Sequence, residues 1–137
     1  MVLQQSSRGP ATFVQDAAAA ALEGPQECVA RMRAEYAARR AKVLAGLEGL
    51  GGVRALAPEG GFFAMLDVRG LGLCSEEIRR RLLEEAGVVV VNGSAYGASG
   101  EGTLRVSFAA GGEKLEAGLA RLREGLARIW EARAVGA

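Results

Sequence analysis

The sequence contains no histidine and only two lysines, Lys42 and Lys114. The first absence removes imidazole acid-base steps, Ser-His-Asp and Cys-His nucleophiles, and most catalytic zinc sites. Both lysines fall in or beside charge-rich helical stretches, without the apolar surroundings that depress an amine pKa, and read as surface residues. Cysteine is nearly as scarce. Cys28 and Cys74 stand alone, without CxxC spacing or histidines to complete a metal site, and are expected as reduced structural thiols. No apolar run is long enough for a bilayer, since Ala17 to Leu22 is far too short, and Met1 to Gln15 shows no leader pattern. A cytoplasmic protein without a membrane partner is the expectation. Nor does one charge dominate: 17 basic residues stand against 16 acidic ones, so no broad attraction to nucleic acid is implied.

What is present is a chain of 137 residues, 50% apolar, enough for one core with an extended helical arm. The first dozen residues read as a looped entry, and Thr12 is placed to cap a short helix through Leu22. Gly24-Pro25 stops that helix, because the residue before proline is pushed out of the helical region. Residues 1–25 are therefore taken as an entry segment, and 26–137 as a long helix followed by a small domain. From Gln26 to about Leu50, Val29, Met32, Tyr36, Val43 and Leu47 recur at three- and four-residue steps, the mark of an amphipathic helix. Val53 to Ala57 and Phe62 to Val68 read as two strands around the turn Pro58-Glu59-Gly60-Gly61.

Ser75 is expected as the N-cap of a helix whose stripe is Ile78, Leu82, Leu83 and Ala86, with Gly87 as its stop. Val88 to Val91 is a continuous apolar run, as in a strand covered on both faces. In Thr103 to Phe108, Leu104, Val106 and Phe108 point to one face and Thr103, Arg105 and Ser107 to the other. Leu115, Leu119, Leu122, Leu126, Ile129 and Trp130 mark a closing amphipathic helix, expected to fray after Arg133.

Several motifs have two readings. The loop Gly93 to Gly102 lacks the GK[ST] ending of a phosphate loop, and its glycines more plainly permit unusual backbone angles or close approach to a ligand or another segment. Tyr96 within it is either an aromatic wall or a packed anchor. Arg79, Arg80 and Arg81 lie within reach of Glu76, Glu77, Glu84 and Glu85, which makes a solvated face a better reading than a nucleic-acid patch. Arg105 projects from a strand just past the glycine-rich loop. It either offers a planar fork to a carboxylate or is a common exposed arginine on a sheet face.

Three ordered motifs, Pro58-Glu59-Gly60-Gly61-Phe62-Phe63, Gly87 through Gly97, and Gly102-Thr103-Leu104-Arg105-Val106-Ser107-Phe108, closely resemble the C-terminal region of class I/II, fold-type-I, pyridoxal-phosphate-dependent aminotransferases. Ser6 through Gln15 resembles the segment that follows the cofactor-bearing region, so the likeness covers nearly the whole chain. It implies an α+β fold, the small C-terminal domain of the aminotransferase fold, with a short sheet covered by helices and a long N-terminal linking helix. It also implies that Arg105 pairs with a substrate α-carboxylate, that Tyr96 lines the substrate side, and that Gly97 lets its loop approach the site. Arg8 would read a distal substrate carboxylate in the neighbouring subunit of a homodimer.

Asn92 departs from the proline often found at its position. The family's Schiff-base lysine, the acid that pairs with the pyridine nitrogen and most phosphate-binding groups belong to a large domain and find no match in this sequence. The resemblance therefore implies amino-group exchange between an amino acid and a 2-oxo acid in a whole enzyme. The chain alone is expected to be inactive, to hold no pyridoxal phosphate, no metal and no catalytic residue, and to need a second copy or a large domain. The alternatives are a non-catalytic interaction module and a ligand-binding α+β module of ferredoxin-like kind, for which the β-α-β order from Phe62 to Val91 speaks.

Overall fold

The computed structural model describes residues 9–135. The chain divides into two compact units, Met1–Ala34 and Glu35–Ala137. In the first, helix α1 spans Thr12–Glu23 and α2, Glu27–Leu47, begins. Thr12 is the first helical residue, not the cap: Ala11 precedes the helix, and its carbonyl accepts from the amides of Val14 and Gln15. The Gly24 amide closes the other end on Ala20, and the Gln26 side chain donates to the carbonyls of Ala21 and Gly24. No residue of α1 is buried, and Phe13, Leu22, Val29 and Met32 are all exposed. The apolar stripe predicted for the start of α2 thus has no cover in this unit.

The second unit is an α+β layer pair. Its strands are β1 (Arg54–Leu56), β2 (Phe63–Asp67), β3 (Val91–Asn92) and β4 (Thr103–Ser107), arranged β1-β2-β4-β3 with every neighbouring pair antiparallel. Helix α3 spans Ser75–Ala86 and α4 spans Gly112–Val135. Because β2 and β3 each run antiparallel to β4, they are parallel to one another with β4 between them, a split β-α-β unit around α3.

Side-chain alternation decides which face of the sheet becomes core. Ala64 and Leu66 of β2 and Leu104 of β4 are fully buried with Leu47, Ile78, Leu82, Leu122 and Leu126 from the helices. Truncating Leu104 or Leu82 to alanine would cost about 2–5 kcal/mol, the range for leucine lost from a packed core. The end of α2 is tied down by Arg123, whose guanidinium donates to the carbonyls of Gly46 at 2.7 Å and Glu48 at 3.0 Å, satisfying acceptors that a helix C-terminus leaves open.

Three expectations change here. Of the predicted Val88–Val91 strand only Val91 pairs, together with Asn92 just beyond it, at the sheet edge, and Val89 is 82% exposed. Its apolar run reflects an edge with one covered face, since Val90 beside it is buried. Neither cysteine belongs to the core: Cys28 and Cys74 are both free and exposed. The closing helix keeps its form past Arg133 to Val135. No helix of the described residues is long and apolar enough to cross a membrane.

Candidate functional site

Helices cover one face of the sheet, and Arg105 emerges on the other. Antiparallel register puts Arg105 directly opposite Met65 on one side and Val91 on the other, while Met65 in turn faces Leu56 of β1. A cross-strand row of apolar side chains therefore flanks a single guanidinium. The carbon Cζ of Arg105 lies 4.2 Å from the centroid of the Phe63 ring and 5.0 Å from that of Tyr96, both within cation-π range. Arg105 itself is half-buried.

No carboxylate pairs with Arg105 among the described residues. Asp67, the acid on the same face of β2, is already taken. Arg69 donates to it at 2.9 and 2.6 Å and Arg54 at 3.1 Å, and the Arg69 hydrogen bond holds its carboxyl well below the usual range. Two rings and an apolar row hold the Arg105 fork, and its donors have no hydrogen-bond partner among the described residues. A planar guanidinium in such surroundings suits a carboxylate in two-point contact.

Tyr96 reaches Arg105 because its loop folds back on itself. The segment forms two short 3-10 turns, Gly93–Tyr96 and Ala98–Gly100. Gly93 and Gly100 meet backbone to backbone, so closely that a Cβ on either would collide with the other's carbonyl oxygen. Gly97 joins the turns at φ 108° and ψ 174°, a region essentially restricted to glycine. A Cβ at Gly97 would meet nothing within 4 Å, so this glycine serves the turn and makes no close approach among the described residues. Arg8 lies outside the described residues.

Sequence reasoning missed Glu101. Ser75, expected as an N-cap, is instead the first residue of α3 and fully buried, and Cys74 before it makes no side-chain cap. The cap comes from the loop: one carboxylate oxygen of Glu101 accepts the Ser75 amide at 2.7 Å and the other accepts the Ser75 hydroxyl at 2.8 Å. Those bonds, the amide first, pull the Glu101 carboxyl below its ordinary value. The only hint in the sequence is an acid at the end of a glycine loop, which carries no information about a helix 26 residues away.

The basic triplet is neutralised on its own helix, with Arg79 on Glu76, Arg80 on Glu77 and Glu84, and Arg81 on Glu77. A pyridoxal phosphate cradle would need a lysine for the aldehyde and an acid for the ring nitrogen. Lys42 is engaged with Glu116 at 2.5 Å between two helices, whereas Lys114 lines a small apolar hollow with Val90, Val106 and Leu115, on the core side of β4. Neither lysine shares the face of Arg105, and the described residues do not fit the cofactor.

The fold matches a known enzyme architecture. The aromatic aminotransferase from Pyrococcus horikoshii OT3 superposes with a TM-score of 0.80 at 38% identity, over 92% of this chain and 33% of that one. The aspartate aminotransferase from Rhizobium meliloti does so with 0.83 at 29% identity, over 93% and 34%. In sequence, arginine–pyruvate transaminase of Pseudomonas aeruginosa is 40% identical over 114 residues, 83% of this chain and 29% of that protein. The family model of aminotransferase class I and II matches residues 3–122, and the chain belongs to that family. It spans about a third of the length of the relatives and structures it matches, 29% to 34% in these three cases.

Proposed function

We propose that this chain is the C-terminal part of an aminotransferase that exchanges an amino group between an amino acid and a 2-oxo acid, and that Arg105 grips the substrate α-carboxylate. The supporting observation is the Arg105 fork itself, flanked by two aromatic rings and without an acid among the described residues. Tyr96 is the aromatic wall beside that carboxylate, and Gly97 shapes the loop that carries it. Residues 26–137 act as linking helix and small domain, and 1–25 as the end of a large one. Arg8 would serve a distal carboxylate across a homodimer, in the cytoplasm.

Pyridoxal phosphate enters this reading only as the family's cofactor in the whole enzyme. No residue of this chain is assigned to it, and no step is routed through it. An arginine clamp alone orients a substrate and leaves its Cα proton untouched, so the chain by itself is expected to be inactive. Sustained turnover by the purified chain with pyridoxal phosphate and an amino acid would refute that.

Grafting this chain in place of the matching third of the Pyrococcus horikoshii aromatic aminotransferase gives a direct test. Removing a fork that pairs with a desolvated carboxylate costs about 2–4 kcal/mol, so Arg105→Ala should lower kcat/KM about 30- to 1000-fold. Arg105→Lys should recover only part, because an ammonium keeps the charge and loses the two-point geometry. An unchanged kcat/KM in Arg105→Ala would overturn the assignment.

A further inference from the structure

The bonds around Glu101 join the two ends of the glycine-rich loop to one buried point. At the loop's far end, the Glu101 carboxylate takes both the amide and the hydroxyl of Ser75, at 2.7 and 2.8 Å. At its near end, the Ser94 hydroxyl, which accepts from the Asn92 side chain at 2.6 Å, lies 3.4 Å from the Ser75 hydroxyl, whose one proton goes to Glu101. Tyr96 sits between these anchors, two residues after Ser94 and five before Glu101. Its ring lies over Arg105, which β4 places four residues beyond Glu101. Ser75 does not move freely, since it is fully buried at the head of α3.

We propose that Glu101 and Ser75 form a positioning pair that holds the Tyr96 loop against Arg105 and thereby sets the affinity for the substrate carboxylate. Neither residue touches the carboxylate. Their effect passes through the loop: with its far end bonded to Ser75 and its near end resting against the same hydroxyl, the ring of Tyr96 stays over the guanidinium, and the fork is presented in one orientation. The pair bears on binding rather than on proton transfer. The substrate half of this inference rests on the reading of Arg105 given above; the loop half does not.

The test has one arm for each half. In the full chain labelled with 15N, the Nε–H resonance of Arg105 reports the ring currents of Phe63 and Tyr96. Glu101→Ala should shift or broaden it. Ser75→Ala, which leaves the amide bond, should shift it less in the same direction. Glu101→Gln should restore it, because an amide of the same shape can accept from the Ser75 amide and donate to its hydroxyl. Glu76→Ala removes an acid from the first turn of the same helix, where Glu76 pairs with Arg79 and makes no bond to the loop; it should leave the resonance in place. If Glu101→Ala leaves the resonance unmoved, or Glu76→Ala moves it equally, the positioning role is wrong and Glu101 is only a helix cap.

In the grafted enzyme, Glu101→Ala should raise KM about tenfold with kcat within about twofold, and Glu101→Gln should sit near the parent. A fall in kcat with KM unchanged would overturn the claim that the pair sets affinity. Should Arg105→Ala leave that enzyme fully active, the substrate reading fails with it, while the resonance comparison still decides whether Glu101 holds the loop.

Discussion

Phe63 and Arg105 are diagonal neighbours across β2 and β4: Phe63 faces Ser107, Met65 faces Arg105, and the guanidinium carbon lies 4.2 Å from the Phe63 ring centroid. Side chains two residues apart on one strand share a face, so this contact follows from register. The ring both restrains the guanidinium and withholds no hydrogen-bonding donor from a ligand.

Phe63→Leu should therefore keep the sheet and weaken the grip. A cation-π contact at a partly exposed site contributes about 0.5–1 kcal/mol, which corresponds to a rise in KM of about two- to fivefold in the grafted enzyme with little change in kcat. Steady-state kinetics check this, and a loss confined to kcat would contradict it.

Arg105 sits among Met65, Val91 and Phe63 with no compensating acid among the described residues, so it should give the fold little. Arg105→Leu should accordingly leave the stability of the chain unchanged within about 0.5 kcal/mol or raise it. Urea unfolding measures this directly. A loss of 2 kcal/mol or more, as for a broken buried ion pair, would show that the arginine has a structural partner.

Much of this arrangement was legible in the residues. Alternation from Thr103 to Phe108 gave the direction of Arg105 because a strand with one buried face must repeat every second residue. Helices α2, α3 and α4 announced themselves by their apolar stripes in the same way. Three things were hidden. That Phe63 lies against Arg105 depends on the register between strands 36 residues apart in sequence. The cap on α3 comes from Glu101 in a distant loop, so the local signal at Ser75 pointed to the wrong partner. And Val88 to Val91 is uniformly apolar although it lies at a sheet edge, because composition does not reveal which face a neighbouring element covers.

The loop makes its own prediction. Gly93 and Gly100 leave no room for a Cβ between their backbones, and Gly97 adopts φ 108°. Gly93→Ala and Gly97→Ala should each destabilise the chain by about 1–3 kcal/mol, the first by collision and the second by backbone strain. Gly60→Ala, where the site is open and φ is not positive, should be near neutral. Thermal unfolding of the three variants distinguishes a loop built on its glycines from one that merely tolerates them.

Acid should weaken α3. Glu77 accepts from Arg80 and from Arg81, and the Arg80 bond leads in drawing its carboxyl down to about 2. Its unfolded value is near 4.3. A group depressed in the folded state stabilises fully above its unfolded pKa and loses that contribution as pH falls through its folded pKa. The stabilisation from the Glu77 ion pairs should thus be complete at pH 5 and fall away between about pH 4.3 and pH 2, with the pairs themselves breaking only as the carboxyl protonates near 2. Because the group is exposed, the gain is small and screened by salt. Carbon-detected NMR titration of the Glu77 carboxyl should give a midpoint near 2 at low salt, and Glu77→Gln should flatten the pH dependence of stability in that window. A Glu77 midpoint at 4 or above would mean that Arg80 and Arg81 do not hold it in solution.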